Sequence, residues 1–257
     1  MGRLERSSNS PFDYSPLCCF TFPLLGRTLK HSRELEFWKS RKQVEGQLGN
    51  SHYEFYCTAH FGIDREFYRC KRILDIGCGP RGSVEWADMA AERVGFDPLA
   101  PAYRKLGIDH HKVSYCAARS ERIPFPDSYF DVVASVNSLD HVDNCEKTIQ
   151  EITGVTKPHG ILLVVVEVNH RARVCEPHRL PPDFITNFLP LFSVTQYGLF
   201  GGETSRSRAP YAGAGPGYLS AILTRNLTFN SEASGAMSIP QPAATALRLE
   251  VPRESSR

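Results

Sequence analysis

Residues 72–83 read RILDIGCGPRGS, and the order of apolar groups and glycines within them decides the fold. A short aliphatic strand runs into a turn containing Gly77, Gly79 and Gly82, and a helix is expected to open near Ser83. Glycine at such a turn lets the chain reverse tightly and brings bare backbone close to a ligand. Outward from this stretch, strand-like segments RVGFD, KVSYCA, YFDVVASVN and ILLVVVEV alternate with SVEWADMAAE and NCEKTIQEITGVT, which read as helices. Alternation of that kind predicts a parallel sheet with crossover helices. The YFDVVASVN and ILLVVVEV segments are apolar at consecutive positions, as strands are when both faces of a sheet are covered. The expected fold is α/β, a Rossmann-like doubly wound sheet. A helix candidate over 182–189 and strands over 192–200 and 218–225 follow. The last two strands lack a helical crossover between them and are expected to be antiparallel.

The chain has 257 residues, enough for one domain with extensions. We divide it into a loosely ordered extension (1–30), a helical brace or lid (31–70), the main domain (71–229) and a Pro/Ser-rich disordered tail (230–257). In the brace, Leu35, Phe37, Trp38 and Val44 among charges over 31–48 suggest an amphipathic helix. Phe37, Trp38, Tyr53, Phe55, Tyr56, Phe61 and Phe67 either form the brace's core or cover an apolar acceptor. With 30 Lys+Arg against 28 Asp+Glu, the net charge is +2, which argues against nucleic acid as a partner. No apolar run approaches the roughly 20 residues of a membrane helix, and no signal peptide is expected. Eight cysteines are scattered without a CxxC pair, as in a reduced cytoplasmic protein.

Asp97 closes the second strand about 20 residues after the glycine turn, where a carboxylate accepts hydrogen bonds from both hydroxyls of a ribose. A dinucleotide and S-adenosylmethionine both carry that ribose. Asp75, two residues before Gly77, would repel a pyrophosphate but matches the ammonium of S-adenosylmethionine, so S-adenosylmethionine is the expected cofactor.

With these residues in view, the chain resembles the class I S-adenosylmethionine-dependent methyltransferases, in particular the small-molecule branch of type 11. The resemblance covers about residues 71–168. It rests on LDIGCGPRGS (74–83), GFDP (95–98), ERIPFPDSYFDVV (121–133), SLDHVDN (138–144) and KPHGILLVV (157–165). It implies a seven-stranded sheet, mostly parallel with the last strand antiparallel, and a cofactor site lined by Asp75, Gly77, Gly79 and Asp97. Cys78, Pro98, Ser120, Glu121 and Asn137 are expected beside them. Two positions depart from the family. Arg119 stands where relatives carry an Asp that accepts from the adenine amino group, so either a backbone group or Glu121 replaces it or the loop is shifted by a residue. His159 stands at a glycine of the family's KPGG turn, with strain expected if its φ is positive.

Methyl transfer needs positioning and exclusion of water, and a base only for some acceptors. His141, after the fourth strand, is the first candidate for that base, because open α/β sheets bind ligands beyond the carboxyl ends of their strands. The competing reading packs His141 structurally, with Asp143 capping the next helix. Asp140 either orients the imidazole or is plain surface, and His170 is a candidate on the loop after the fifth strand. Cys175, Glu176 and His178 include zinc-ligand types, but one Cys-x-x-His pair lacks a four-ligand signature, so no metal is expected. The leading function is methyl transfer to the O, N or C of a small organic acceptor. A non-catalytic S-adenosylmethionine-binding module is the alternative, and an NAD-dependent oxidoreductase is less favoured.

Overall fold

The computed structural model of the chain describes residues 17–202, 205–213 and 215–227. The tail expected over 230–257 and the first part of the expected extension, 1–16, lie outside the described residues. In chain order the main elements are α1 (Leu17–Glu45), α2 (Tyr53–Cys57), β1 (Arg72–Ile76), β2 (Glu92–Phe96), α3 (Ala100–Tyr103), β3 (Ser114–Cys116), β4 (Phe130–Val136), α4 (Cys145–Val155), β5 (Thr156–Val168), β6 (Phe192–Gly201), β7 (Ala209–Pro210) and β8 (Gly217–Arg225).

The strands form one sheet in the order β3-β2-β1-β4-β5-β8-β6-β7. β3 to β5 are parallel, and β8 lies antiparallel between β5 and β6. The expected seven strands are present, and a two-residue eighth, β7, extends the far edge. Its Pro210 is tolerated there because an edge strand need not donate on its outer side. Successive residues of β1 enter opposite layers. Leu74 and Ile76 pack with Val133, Leu162 and Ile152, whereas Ile73 packs with Val132, Leu163, Tyr56 and Tyr68. Both faces of the central strands are therefore buried, and strand order reverses between β1 and β4. A crevice opens at that reversal, beyond the carboxyl ends of the strands.

The helix expected over 83–92 is not formed, and this segment is a series of turns closed by Glu85 N–H to Gly82 O, Ala87 N–H to Val84 O and Ala90 N–H to Ala87 O. Its polar groups are committed elsewhere. The Glu85 carboxylate accepts from the N–H groups of Lys112 and Val113, and Arg65 donates to Trp86 O and to Asp88. Tertiary partners thus override helix propensity. The 182–189 candidate shortens to a 3-10 turn over Phe184–Phe188. The brace helix starts at Leu17, so 17–30 is helical instead of loosely ordered. It stops at Glu45 because Gly46, at φ 72°, caps it by donating to Lys42 O.

Of the apolar groups expected on the brace, Leu35 and Trp38 pack against Tyr103 and Leu106, while Phe37 and Val44 are exposed (51% and 81%). Tyr56 and Phe61 are core residues.

His159 has φ 60° and is exposed, so it adopts the left-handed conformation that a side chain disfavours. His159→Gly is expected to raise stability by about 1 kcal/mol, read as a higher denaturant midpoint. An unchanged midpoint would mean that the imidazole compensates its own strain.

Candidate active site

The glycine turn is shaped by its neighbours. Gly77, Gly79 and Gly82 all have positive φ, at 69°, 57° and 70°. A Cβ on Gly77 would overlap the Ser138 side chain, and one on Gly79 would stand 3.1 Å from the Trp38 ring. The Ser138 hydroxyl donates to Ile76 O at 2.6 Å and pairs with the Ser135 hydroxyl at 2.6 Å. The loops after β1 and β4 are therefore held together at Gly77.

The Asp97 carboxylate accepts from Gly79 N–H at 3.2 Å and from Leu99 N–H at 2.8 Å, one on each oxygen. The buried Tyr103 hydroxyl hydrogen-bonds the same carboxylate, so of its four lone-pair sites one remains for a ligand hydroxyl. Burial pushes its pKa up to about 6, against the pull of the two N–H groups and the Tyr103 hydroxyl.

A cavity of about 540 Å³ opens at this point, within the range of small-molecule and cofactor sites. Gly77, Cys78, Gly79, Asp97, Pro98, Ser120, Glu121 and Asn137 all line it. Asp75 does not line it. It is buried beneath the turn, where the Ser83 hydroxyl donates to it, and burial pushes its pKa up to about 7. Its part is to anchor the turn from below.

On the far side, Arg119 also lines the cavity and pairs with Glu121 at 3.2 Å and Asp143 at 3.1 Å. Glu121 further accepts from the N–H groups of Asp143 and Asn144. The cap of α4 is Asn144, which accepts from Lys147 N–H, and not Asp143. Asp143 is committed to ion pairs with Arg27, Lys30 and Arg119, which keep its carboxyl below the usual range despite partial burial.

α1 supplies wall residues that the motifs do not reveal. Lys30, His31, Glu34, Phe37 and Trp38 line the cavity, and Tyr53 of α2 joins them. Lys30 donates to the His141 carbonyl and to Asp143. At the other end Arg81 forms two 2.7 Å bonds to the Glu45 carboxylate and lies over the Trp38 ring. The signal was present in sequence, since Lys30, Glu34 and Trp38 follow one another at i, i+4 and i+8 on one helix face. Trp38 Nε1 donates to Glu34 at 2.8 Å.

His141 lines the cavity, at the end of a 3-10 turn over Leu139–His141. Burial lowers its pKa to about 4, opposed by Glu176 and assisted by Lys30, so the imidazole is neutral. Asp140 and His170 do not line the cavity, and each is fully buried (0%). The reading of Asp140 as surface is therefore excluded. Cys175 and Glu176 reach the wall from the loop after β5, where Cys175 donates to Lys30 O. His178 turns away to Val142 O.

Among known proteins, the family model of a methyltransferase domain matches residues 74–164. The chain is 35% identical over 99 residues to malonyl-(acyl-carrier protein) O-methyltransferase of Enterobacter lignolyticus, covering 37% of this chain and 38% of that protein. It is 34% identical over 113 residues to a sterol 4-C-methyltransferase of Caenorhabditis elegans (41% and 34%), and 31% identical over 111 residues to the chloroplastic tocopherol O-methyltransferase of Arabidopsis thaliana (40% and 32%). The matched stretch thus spans between about a third and two fifths of these relatives. Among solved structures, the complex between the Haloferax volcanii Trm112 methyltransferase activator and a methyltransferase superposes with a TM-score of 0.57 at 14% identity, over 77% of this chain and 98% of that one. A Bacillus halodurans protein described as a methyltransferase gives 0.52 at 14% identity, over 69% and 100%. At such identities the likeness is one of fold.

Proposed function

Residues 74–164 form a class I S-adenosylmethionine-dependent methyltransferase domain, and from that premise we propose that the chain transfers a methyl group to a small organic acceptor at O, N or C. The observation that carries this reading is Asp97, a buried carboxylate at the cavity wall, held by Gly79 N–H, Leu99 N–H and the Tyr103 hydroxyl and facing a turn where a Cβ at Gly77 would overlap Ser138.

Asp97 would hold the ribose hydroxyls of S-adenosylmethionine, and the bare backbone of Gly77 and Gly79 would lie along the cofactor. The bound cofactor supplies an electrophilic methyl group on its sulfonium. Everything else falls to the chain. Phe37, Trp38 and Tyr53 exclude water, and the loops after β4 and β5 position the acceptor. His141 stands at the wall as the group to accept a proton from an O–H acceptor. The relatives named above are O- and C-methyltransferases of small or carrier-bound organic molecules, which supports that acceptor class. The small net charge disfavours nucleic acid. No helix among the described residues is long and apolar enough to cross a membrane, and Cys57, Cys70, Cys78, Cys116, Cys145 and Cys175 are free thiols. We read the location as cytoplasmic on those thiols.

A second reading, a module that binds the cofactor without turnover, is favoured by one observation. Arg119, a cation, stands at the cavity wall and holds Glu121 at 3.2 Å, so the acceptor expected for the adenine amino group is already drawn into an ion pair.

Calorimetric titration with S-adenosylmethionine and S-adenosylhomocysteine, with NAD as control, tests the proposal. Binding of the first two alone is expected. The affinity should also depend on pH with a definite sign. Ribose hydroxyls donate to ionised Asp97, whose carboxyl in the free protein holds its proton up to about pH 6. Affinity then rises between pH 5 and 7.5, by roughly tenfold for one proton released, and levels off above. NAD binding, or none, would overturn the cofactor assignment. Turnover on an acceptor panel separates enzyme from module.

A further inference from the structure

Behind the His141 wall, two buried acceptors face each other with nothing between them. Asp140 is fully buried, and neither of its carboxylate oxygens has a hydrogen-bond partner. His170 is fully buried too. Its Nδ1 lies 3.1 Å from the Arg171 carbonyl, an acceptor only, so the proton of the ring sits on Nδ1. That leaves the lone pair of Nε2 without a partner and aimed at Asp140 Oδ2, 3.4 Å away. Leaving such groups bare inside a protein is costly.

Glu176 closes the cluster from the loop after β5. One donor atom from each of Asp140, His170 and Glu176 lies within 4.8 Å of the others. The Glu176 side chain is only 17% exposed and pairs with Arg173 on one oxygen at 2.9 Å. Its other oxygen lies 3.9 Å from His141 Nε2, which is also 3.9 Å from Asp140 Oδ1. Three donors from two loops, Asp140 after β4 and His170 and Glu176 after β5, thus converge on one point behind the cavity.

From this geometry we infer that Asp140, His170 and Glu176 bind a divalent transition-metal ion, zinc or one of similar size and preference, at the inner wall of the cavity. The 3.4 Å between His170 Nε2 and Asp140 Oδ2 equals the edge of a tetrahedron with metal-ligand bonds of about 2.1 Å. It is longer than a good N–H···O bond. The mixed imidazole and carboxylate donors suit zinc, manganese or iron better than calcium or magnesium. The Arg171 carbonyl supplies the outer contact that fixes the ring of a metal-binding histidine. Three protein ligands leave one position open. Because Glu176 and His141 border the cavity, that position faces the space next to the acceptor. Cys175 and His178, the ligand types evident in the sequence, are turned to backbone carbonyls and take no part.

The test uses the full chain, stripped with a chelator and titrated calorimetrically with zinc and, for its spectrum, with cobalt(II). One equivalent is expected, and the cobalt complex should show d–d bands without a thiolate charge-transfer band. Glu176→Gln, a near-isosteric change on the loop after β5, should weaken zinc binding at least tenfold. Asp140→Asn should weaken it at least a hundredfold, and Cys175→Ser should change nothing. A wild-type chain that binds neither ion overturns the proposal and makes the pair a proton-bridged one. So does binding that survives both carboxylate variants, or a thiolate band that disappears in Cys175→Ser. None of these readouts involves S-adenosylmethionine, so the metal site stands or falls apart from the reading of the cavity.

Discussion

Asp97→Ala is expected to weaken S-adenosylmethionine binding by about 2 to 4 kcal/mol, roughly 30- to 1000-fold. The carboxylate stands at the cavity wall where the ribose hydroxyls would lie, and a bond to it would be charge-assisted. Removing it also strips Gly79 N–H and Leu99 N–H of their acceptor, loosening the turn that carries the cofactor backbone. Asp97→Asn separates the two contributions. Asparagine keeps one acceptor oxygen but loses the charge, so it should fall between wild type and alanine. The pH dependence should vanish in either variant, because the titrating group is gone. Calorimetry gives both numbers, and an Asp97→Ala protein with wild-type affinity would mean that the ribose is held elsewhere.

Gly77→Ala should be at least as damaging. The added methyl meets two obstacles at once. The backbone has φ 69°, which costs an alanine about 1 to 2 kcal/mol, and the Cβ would overlap Ser138. Ser138 cannot retreat without breaking its bonds to Ile76 O and Ser135. We expect the loops after β1 and β4 to be forced apart, with a loss of S-adenosylmethionine affinity beyond 100-fold and a lower melting temperature. Adding Ser138→Gly to Gly77→Ala removes the overlap but not the strain, so affinity should return in part. If the double variant is no better than the single one, the overlap is not the cause.

What the sequence made legible follows from how far each signal reaches. The alternation of apolar runs predicted β1 to β5 because the covered faces of a parallel sheet leave a local mark in each strand. Gly77 and Asp97 were legible because the turn and the strand end have a fixed spacing along the chain. The 83–92 helix was misread because its polar groups are claimed by Arg65, Lys112 and Val113, residues far away in sequence. Asp75, expected at the cofactor, is buried under the turn and does not line the cavity, since a strand residue next to a turn points below the sheet or above it, and composition does not say which. The contacts of Lys30 with Asp143, and the meeting of Asp140, His170 and Glu176, join segments that no local spacing connects.

The cavity wall divides along the chain. Gly77, Gly79, Asp97 and Ser120 fall inside the stretch shared with known methyltransferases, 74–164, whereas Lys30, Glu34, Trp38, Tyr53, Arg173 and Glu176 fall outside it. The first group lines the side that the proposed reading gives to the cofactor, and the second closes the remaining volume. The second group comes from the middle of α1, from α2 and from the loop after β5, and it is tied to the first half by Lys30 on Asp143 and Trp38 against Gly79. The architecture is a socket with a rim of its own: a new acceptor demands a rewritten rim, and each rewriting must keep the ties that fasten the rim to the seat.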